Sequence, residues 1–144
     1  MTHTRGWAKK VYLAGPINGK SDDECMGWRN AAANTLRSFG HEVLDPMSRD
    51  YRGKEDLNAE DIVCWDKEQI ESCDIVLVNA NAPSWGTAME LVYGISFGKH
   101  VVAFATHTNS PRISPWLRCH THEIYQSLSH ALSSITQGSS AGLR

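Results

Sequence analysis

The sequence predicts an α/β domain with a doubly wound, flavodoxin-like parallel sheet of about five strands, and three features carry that expectation. Short apolar runs at 10–14 (KVYLA), 74–80 (DIVLVNA) and 99–105 (KHVVAFA) alternate with longer segments of helical periodicity. These runs are apolar at nearly every position rather than every second one, as strands covered on both faces require. Strand and helix also take turns along the chain, which leads to parallel pairing through helical crossovers.

Residues 10–14 end in Gly15-Pro16, so the first strand is stopped by turn residues. A helix follows INGKSDD, with Ser21 as its cap. Met26, Ala33, Leu36 and Phe39 recur at helical spacing until Gly40 stops it. HEVLD at 41–45 is the second strand. Residues 46–57 (PMSRDYRGKEDL) are polar and carry Pro and Gly, a loop long enough to cover a site. The next helix, 59–72, places Ile62, Asp66, Ile70 and Cys73 near one face, so a carboxylate interrupts the row that should pack on the sheet. Spacing leaves it equally open whether Asp66 points inward or turns outward with Lys67 and Glu68.

After the strand at 74–80, the segment 86–98 (GTAMELVYGISFG) forms a helix in which Thr87 to Glu90 matches a capping box. A glutamate in the first turn also suits the helix dipole. Leu91, Val92, Tyr93, Ile95 and Phe97 leave that helix little polar surface, as expected of one buried against the sheet and a partner chain. The strand at 99–105, a Pro-rich loop at 107–118, a weaker strand at 123–125 and a helix at 127–135 complete a domain expected to span 1–137. Residues 138–144 read as a disordered tail.

Composition narrows the function. With 14 basic and 16 acidic residues the net charge is −2, and no basic stripe occurs, so polymeric nucleic acid is not an expected partner. No apolar run approaches the ~20 residues that span a bilayer. Four cysteines without C-x-x-C spacing, behind an N-terminus lacking a secretory pattern, point to reduced thiols and a cytoplasmic protein. CHTH at 119–122 lacks the second cluster that a closed metal site needs, and neither G-x-G-x-x-G nor a P-loop is present, so no metal or cofactor is expected.

Folds of this class bind ligands beyond the carboxyl ends of their strands, where the loops after residues 14, 80 and 105 gather. Asp66 precedes the third strand and Glu90 follows it, which permits two carboxylates to converge on one pocket. Glycosidic chemistry uses such a pair, one for the anomeric carbon and one for protons.

VYLAGP at 11–16, Asp66, CDIVLV at 73–78 and PSWGTAMELVYG at 83–94 together resemble the nucleoside 2-deoxyribosyltransferase family, including its branch of nucleoside 5′-monophosphate N-glycosidases. The likeness runs over 11–117. It implies that Glu90 is a nucleophile forming a glycosyl-enzyme ester, that Asp66 handles protons near the sugar and base, and that Tyr12 lines the pocket and orients the nucleophile. It further implies substrate contacts from Gly15, Asn18, Ser84 and Gly86.

Where the transferase branch carries an acidic residue six positions before the glutamate, this chain has Ser84, as the monophosphate branch does. Ser114 matches a serine that the same branch contributes across a dimer interface. Pro16 and Asn18 depart from that branch's serine and arginine, leaving Lys20, Arg49, Arg52 or Arg118 to grip a phosphate. The loop 46–57 and Trp85 are expected to exclude water or stack a base. These resemblances predict a homodimer or larger, with shared active sites, that hydrolyses the N-glycosidic bond of a (deoxy)nucleoside 5′-monophosphate. The alternatives are a transferase exchanging bases between deoxynucleosides and a non-catalytic nucleotide sensor.

Overall fold

β1 (Lys10–Ala14) is an inner strand of the sheet, pairing in parallel with β2 (Glu42–Leu44) on one side and with the central strand β3 (Ile75–Asn79) on the other. β4 (His100–Phe104) and β5 (Glu123–Tyr125) extend the sheet, also in parallel, to the order β2-β1-β3-β4-β5. The structure, a computed structural model, describes residues 7–105 and 113–137; the tail expected over 138–144 lies outside them. The doubly wound, five-stranded parallel sheet is the one the sequence predicts. From β1 the chain turns to one side for β2 and then crosses to the other for β3. The connections therefore diverge above β1 and β3 and open a crevice there.

Side chains alternate across a strand, so consecutive residues serve opposite cores. Val11 and Leu13 pack with Ala32 and Leu36 of α1 (Trp28–Ser38) and Ala131 and Ile135 of α5 (Leu128–Thr136). Tyr12 and Ala14 pack on the other face with Ile70 of α2 (Ala59–Ser72) and Leu91 of α3 (Trp85–Ser96). Each such aliphatic side chain, removed from water, contributes about 1.5–3 kcal/mol before the entropy of ordering it is subtracted. Gly94 lets α3 lie close on the sheet, since a Cβ there would stand 3.0 Å from Val76 Cγ2.

Ser21 caps as expected. Its Oγ accepts from Glu24 N–H at 3.1 Å while Glu24 Oε1 accepts from Ser21 N–H at 2.9 Å, a reciprocal capping box. The turn that follows, Asp23–Gly27, is wound as a π-helix before α1 begins.

All four cysteines are free, Cys25 and Cys73 buried, Cys64 and Cys119 exposed. His122 Nδ1 accepts from Val101 N–H at 2.9 Å, and His120 Nδ1 meets the Trp116 carbonyl at 2.7 Å within α4 (Pro115–Cys119) and its cap. Both histidines of CHTH thus have structural partners. Among the described residues no helix is long and apolar enough to cross a membrane.

Candidate active site

Three elements bring three polar side chains together at the crevice. Tyr12 is fully buried, and its hydroxyl donates to Glu90 Oε2 at 2.6 Å. Asp66, from α2, lines the same cavity as Glu90 and acts electrostatically on both Glu90 and Tyr12. Of the two orientations its spacing left open, Asp66 takes the inward one, while Lys67 and Glu68 are exposed.

Glu90 does not cap its helix. α3 starts at Trp85, and Ser84, extended at φ −157° and ψ 125°, is the N-cap, with its Oγ accepting from Thr87 N–H at 3.2 Å. The cap therefore lies three residues before the expected Thr87 and is a single side-chain bond rather than a reciprocal box, so Glu90 falls in the second turn, free to face Tyr12. The reason is local: Ser84 ends the strand-loop in extended backbone and offers its hydroxyl first.

Burial is the main reason the Glu90 carboxyl lies well above the usual carboxylate range. The neighbouring Asp66 pushes it further, against the Tyr12 hydroxyl and the Arg29 charge. Asp66 is also raised by burial, with Glu90, Tyr12, Arg49 and Arg29 drawing it back. Tyr12 is pushed far above its ordinary value, first by burial and then by the two carboxyls, so it remains a protonated donor. Two carboxyls in one confined space titrate as a pair, holding a proton where separate surface carboxyls would have lost it.

Both carboxyls line a cavity of about 340 Å3. Gly15 and Asn18 line it from the loop after β1, and Ser84 and Gly86 from the start of α3. Gly15 cannot be larger: a Cβ there would meet Trp28 Cζ2 at 2.7 Å and Asn79 Cβ at 3.1 Å. The expected cover is present, because Met47, Arg49, Tyr51 and Arg52 of the loop 46–57 form a wall.

Of the four candidate phosphate cations, Arg49 and Arg52 reach this cavity. Arg52 is engaged by Asp22 and Asp50, whereas Arg49 lies over the rings of Tyr51 and Trp65, 5.2 and 5.1 Å from their centroids. Lys20 borders a separate, shallower depression, and Arg118 donates to the Ile113 carbonyl at 3.2 Å.

One expectation changes. Trp85 is 89 % exposed and lines a different groove, between α3 and α4; the aromatics that line the cavity are Tyr51, of the loop 46–57, and Trp65, one residue before Asp66. As the first residue of its helix, Trp85 projects away from the sheet that Glu90, in the second turn, faces. Ser114 also belongs to the α3/α4 groove, where its Oγ accepts from Trp116 N–H at 3.1 Å as the N-cap of α4. Sequence reasoning missed Trp65 and the buried Arg29. For Arg29 a signal existed, since residues 29, 33 and 36 share a helical face.

A family model described as nucleoside 2-deoxyribosyltransferase matches residues 11–128. The "Putative 2'-deoxynucleoside 5'-phosphate N-hydrolase 1" of Thermofilum pendens is 24% identical over 124 residues, 85% of this chain and 85% of that protein. Among solved structures, the 2-deoxyribosyltransferase of Bacillus psychrosaccharolyticus is similar with a TM-score of 0.69 at 23% identity, over 85% of this chain and 90% of its own. The CMP N-glycosidase BcmB of Clostridium botulinum gives a TM-score of 0.62 at 18% identity, over 88% of this chain and 98% of its own. At these identities the solved structures establish the fold alone.

Proposed function

The chain belongs to the nucleoside 2-deoxyribosyltransferase family, enzymes acting on small nucleosides or nucleotides, and we propose that it hydrolyses the N-glycosidic bond of a (deoxy)nucleoside 5′-monophosphate, releasing the free base. The observation that carries this reading is the hydrogen bond from Tyr12 to Glu90 in a cavity that Asp66 also lines. Glu90 attacks the anomeric carbon; the new ester bond forms as the bond to the base breaks, and the electron pair leaves on the base nitrogen. Positive charge developing on the sugar favours ionised Glu90, so the proton held by the pair stays with Asp66 and passes to the base. Tyr12 fixes Glu90 through Oε2 and leaves Oε1 for attack. Water then adds to the same carbon, gives its proton to Asp66, and frees Glu90 and the sugar phosphate.

Ser84 and the open backbone at Gly86, at the start of α3, suit a 5′-phosphate. The name of the Thermofilum relative favours the same substrate.

The α3/α4 groove, about 670 Å3 and mainly apolar, supports a homodimer. Trp85 and Trp116 lie exposed in it, and Ser114 stands apart from its own chain's cavity, which supports a role for it in a second copy's site. The transferase reading is favoured by the description of the matching family model, nucleoside 2-deoxyribosyltransferase; there a second base takes the place of water.

The deciding experiment is chromatographic measurement of base release from ribo- and deoxyribonucleosides and their 5′-monophosphates, each with and without a second free base. Release from a monophosphate without acceptor is expected. Turnover only of nucleosides, and only with added base, would replace the hydrolase by the transferase.

A further inference from the structure

Arg29 is the bulkiest fully buried side chain among the described residues. Taking a guanidinium out of water costs several kcal/mol unless it is well paired. Its pairing here is partial. Nη1 donates to the Cys25 carbonyl at 2.8 Å and Nη2 to the Gly15 carbonyl at 2.9 Å. Nε has no hydrogen-bond acceptor; Asp45 Oδ1 lies 3.6 Å away and already accepts from Met47 N–H at 2.8 Å.

Packing alone does not call for a charge at this point. Arg29 occupies the same face of α1 as Ala32 and Leu36, where an apolar side chain would fill the core. What the charge does find is the carbonyl of Gly15, a residue that lines the same cavity as Glu90, and from there it interacts with Glu90 and Tyr12 as well as Asp45.

We propose that Arg29 is a positioning residue for the cleavage reaction: a buried cation, anchored on Gly15 and Asp45, that favours the ionised form of Glu90 needed for attack and fixes the loop beginning at Gly15. This rests on the reading of Glu90 as the nucleophile. Protonated Glu90 is no nucleophile, and both its burial and Asp66 favour the proton. Tyr12 faces it from β1, Asp66 from α2 and Arg29 from α1, with Arg49 of the loop 46–57 acting on Asp66 and Asp45 at the end of β2 offsetting Arg29. Arg49 is exposed and stacked on Tyr51 and Trp65, which leaves Arg29 as the cation sealed from solvent screening.

The test is a carbon-13 NMR titration of protein labelled at the glutamate carboxyl carbons, with the Glu90 signal assigned by its loss in Glu90→Gln. The Glu90 midpoint should rise by about one unit or more in Arg29→Met and stay near the wild-type value in Arg29→Lys. In Asp45→Asn it should fall, because that change removes the competing charge and keeps the acceptor for Met47. An unmoved midpoint in Arg29→Met overturns the proposal. Should that variant fail to fold, an unmoved midpoint in Asp45→Asn overturns it instead. The acid limb of kcat/KM should follow the midpoint; equal loss of activity at every pH, with the limb in place, would mark Arg29 as purely structural. A moved midpoint together with undiminished base release by Glu90→Gln would support the link between Arg29 and Glu90 while removing the nucleophile reading.

Discussion

Two partly buried glutamates, at opposite ends of the sheet, receive opposite treatment. Glu123, at the start of β5, accepts from Ser134, Tyr125 and His100. Burial pushes its carboxyl up, but those hydrogen bonds outweigh it and hold Glu123 below the usual range. Glu90 accepts from Tyr12 and faces a second carboxyl, and it is raised. A carboxylate satisfied on every side is a structural anchor. One left short of donors beside another acid retains the reactivity that a nucleophile needs, at a cost in stability.

The sharpest way to break this contrast is to remove each charge in turn. Glu90→Gln should lower base release by about four orders of magnitude, while Glu123→Gln, remote from the cavity, should leave the kcat of the folded enzyme close to wild type. Equal losses in assays of the two variants would erase the distinction.

Next in size is Tyr12→Phe. It deletes the donor to Glu90, a hydrogen bond to a charged group of roughly 1.5–3 kcal/mol, so kcat/KM should fall about 10- to 100-fold. Unchanged kinetics would mean that the 2.6 Å contact does not position the nucleophile.

Stability should separate the pair in sign. Folded Glu123 holds its proton more weakly than the unfolded chain, so its contribution is present above the ordinary carboxylate pKa and lost as pH falls through the lowered value. Glu123→Gln should cost about 1–2 kcal/mol near neutrality and little in acid. Folded Glu90 holds its proton more tightly, so stability declines as pH rises from the ordinary value through the raised one. Glu90→Gln should accordingly raise Tm near neutral pH, an advantage that fades in acid. Thermal melts across pH would show whether the two differences carry the same sign, which would contradict the comparison.

The smallest expected effect belongs to Ser114→Ala. If a second copy supplies this hydroxyl to a 5′-phosphate, KM for a monophosphate should rise about 10-fold, and KM for a nucleoside should not move. A uniform change for both substrates would limit Ser114 to its capping of α4.

The sequence alone determined the order of strands and helices, because a doubly covered strand must be apolar throughout and turn residues must interrupt it. KVYLA, DIVLVNA and KHVVAFA left little freedom about where the sheet would form. It also brought Glu90 and Asp66 forward, since each carboxylate interrupts an apolar helix face. Which way Asp66 pointed was not legible in its spacing, and neither was the Ser84 cap that moves Glu90 into the second turn. Trp65 and Trp85 are equally plausible aromatics in the sequence; only the packing of α2 and α3 put the first in the cavity and the second on the outer groove. Arg29 shares the face of α1 with Leu36, yet its charge gains meaning only where β1 ends at Gly15 and β2 at Asp45. Periodicity reports which face of an element is buried, because burial follows local geometry. Which charges meet across strands 60 or more residues apart depends on register and helix packing, and the tertiary structure alone decided that.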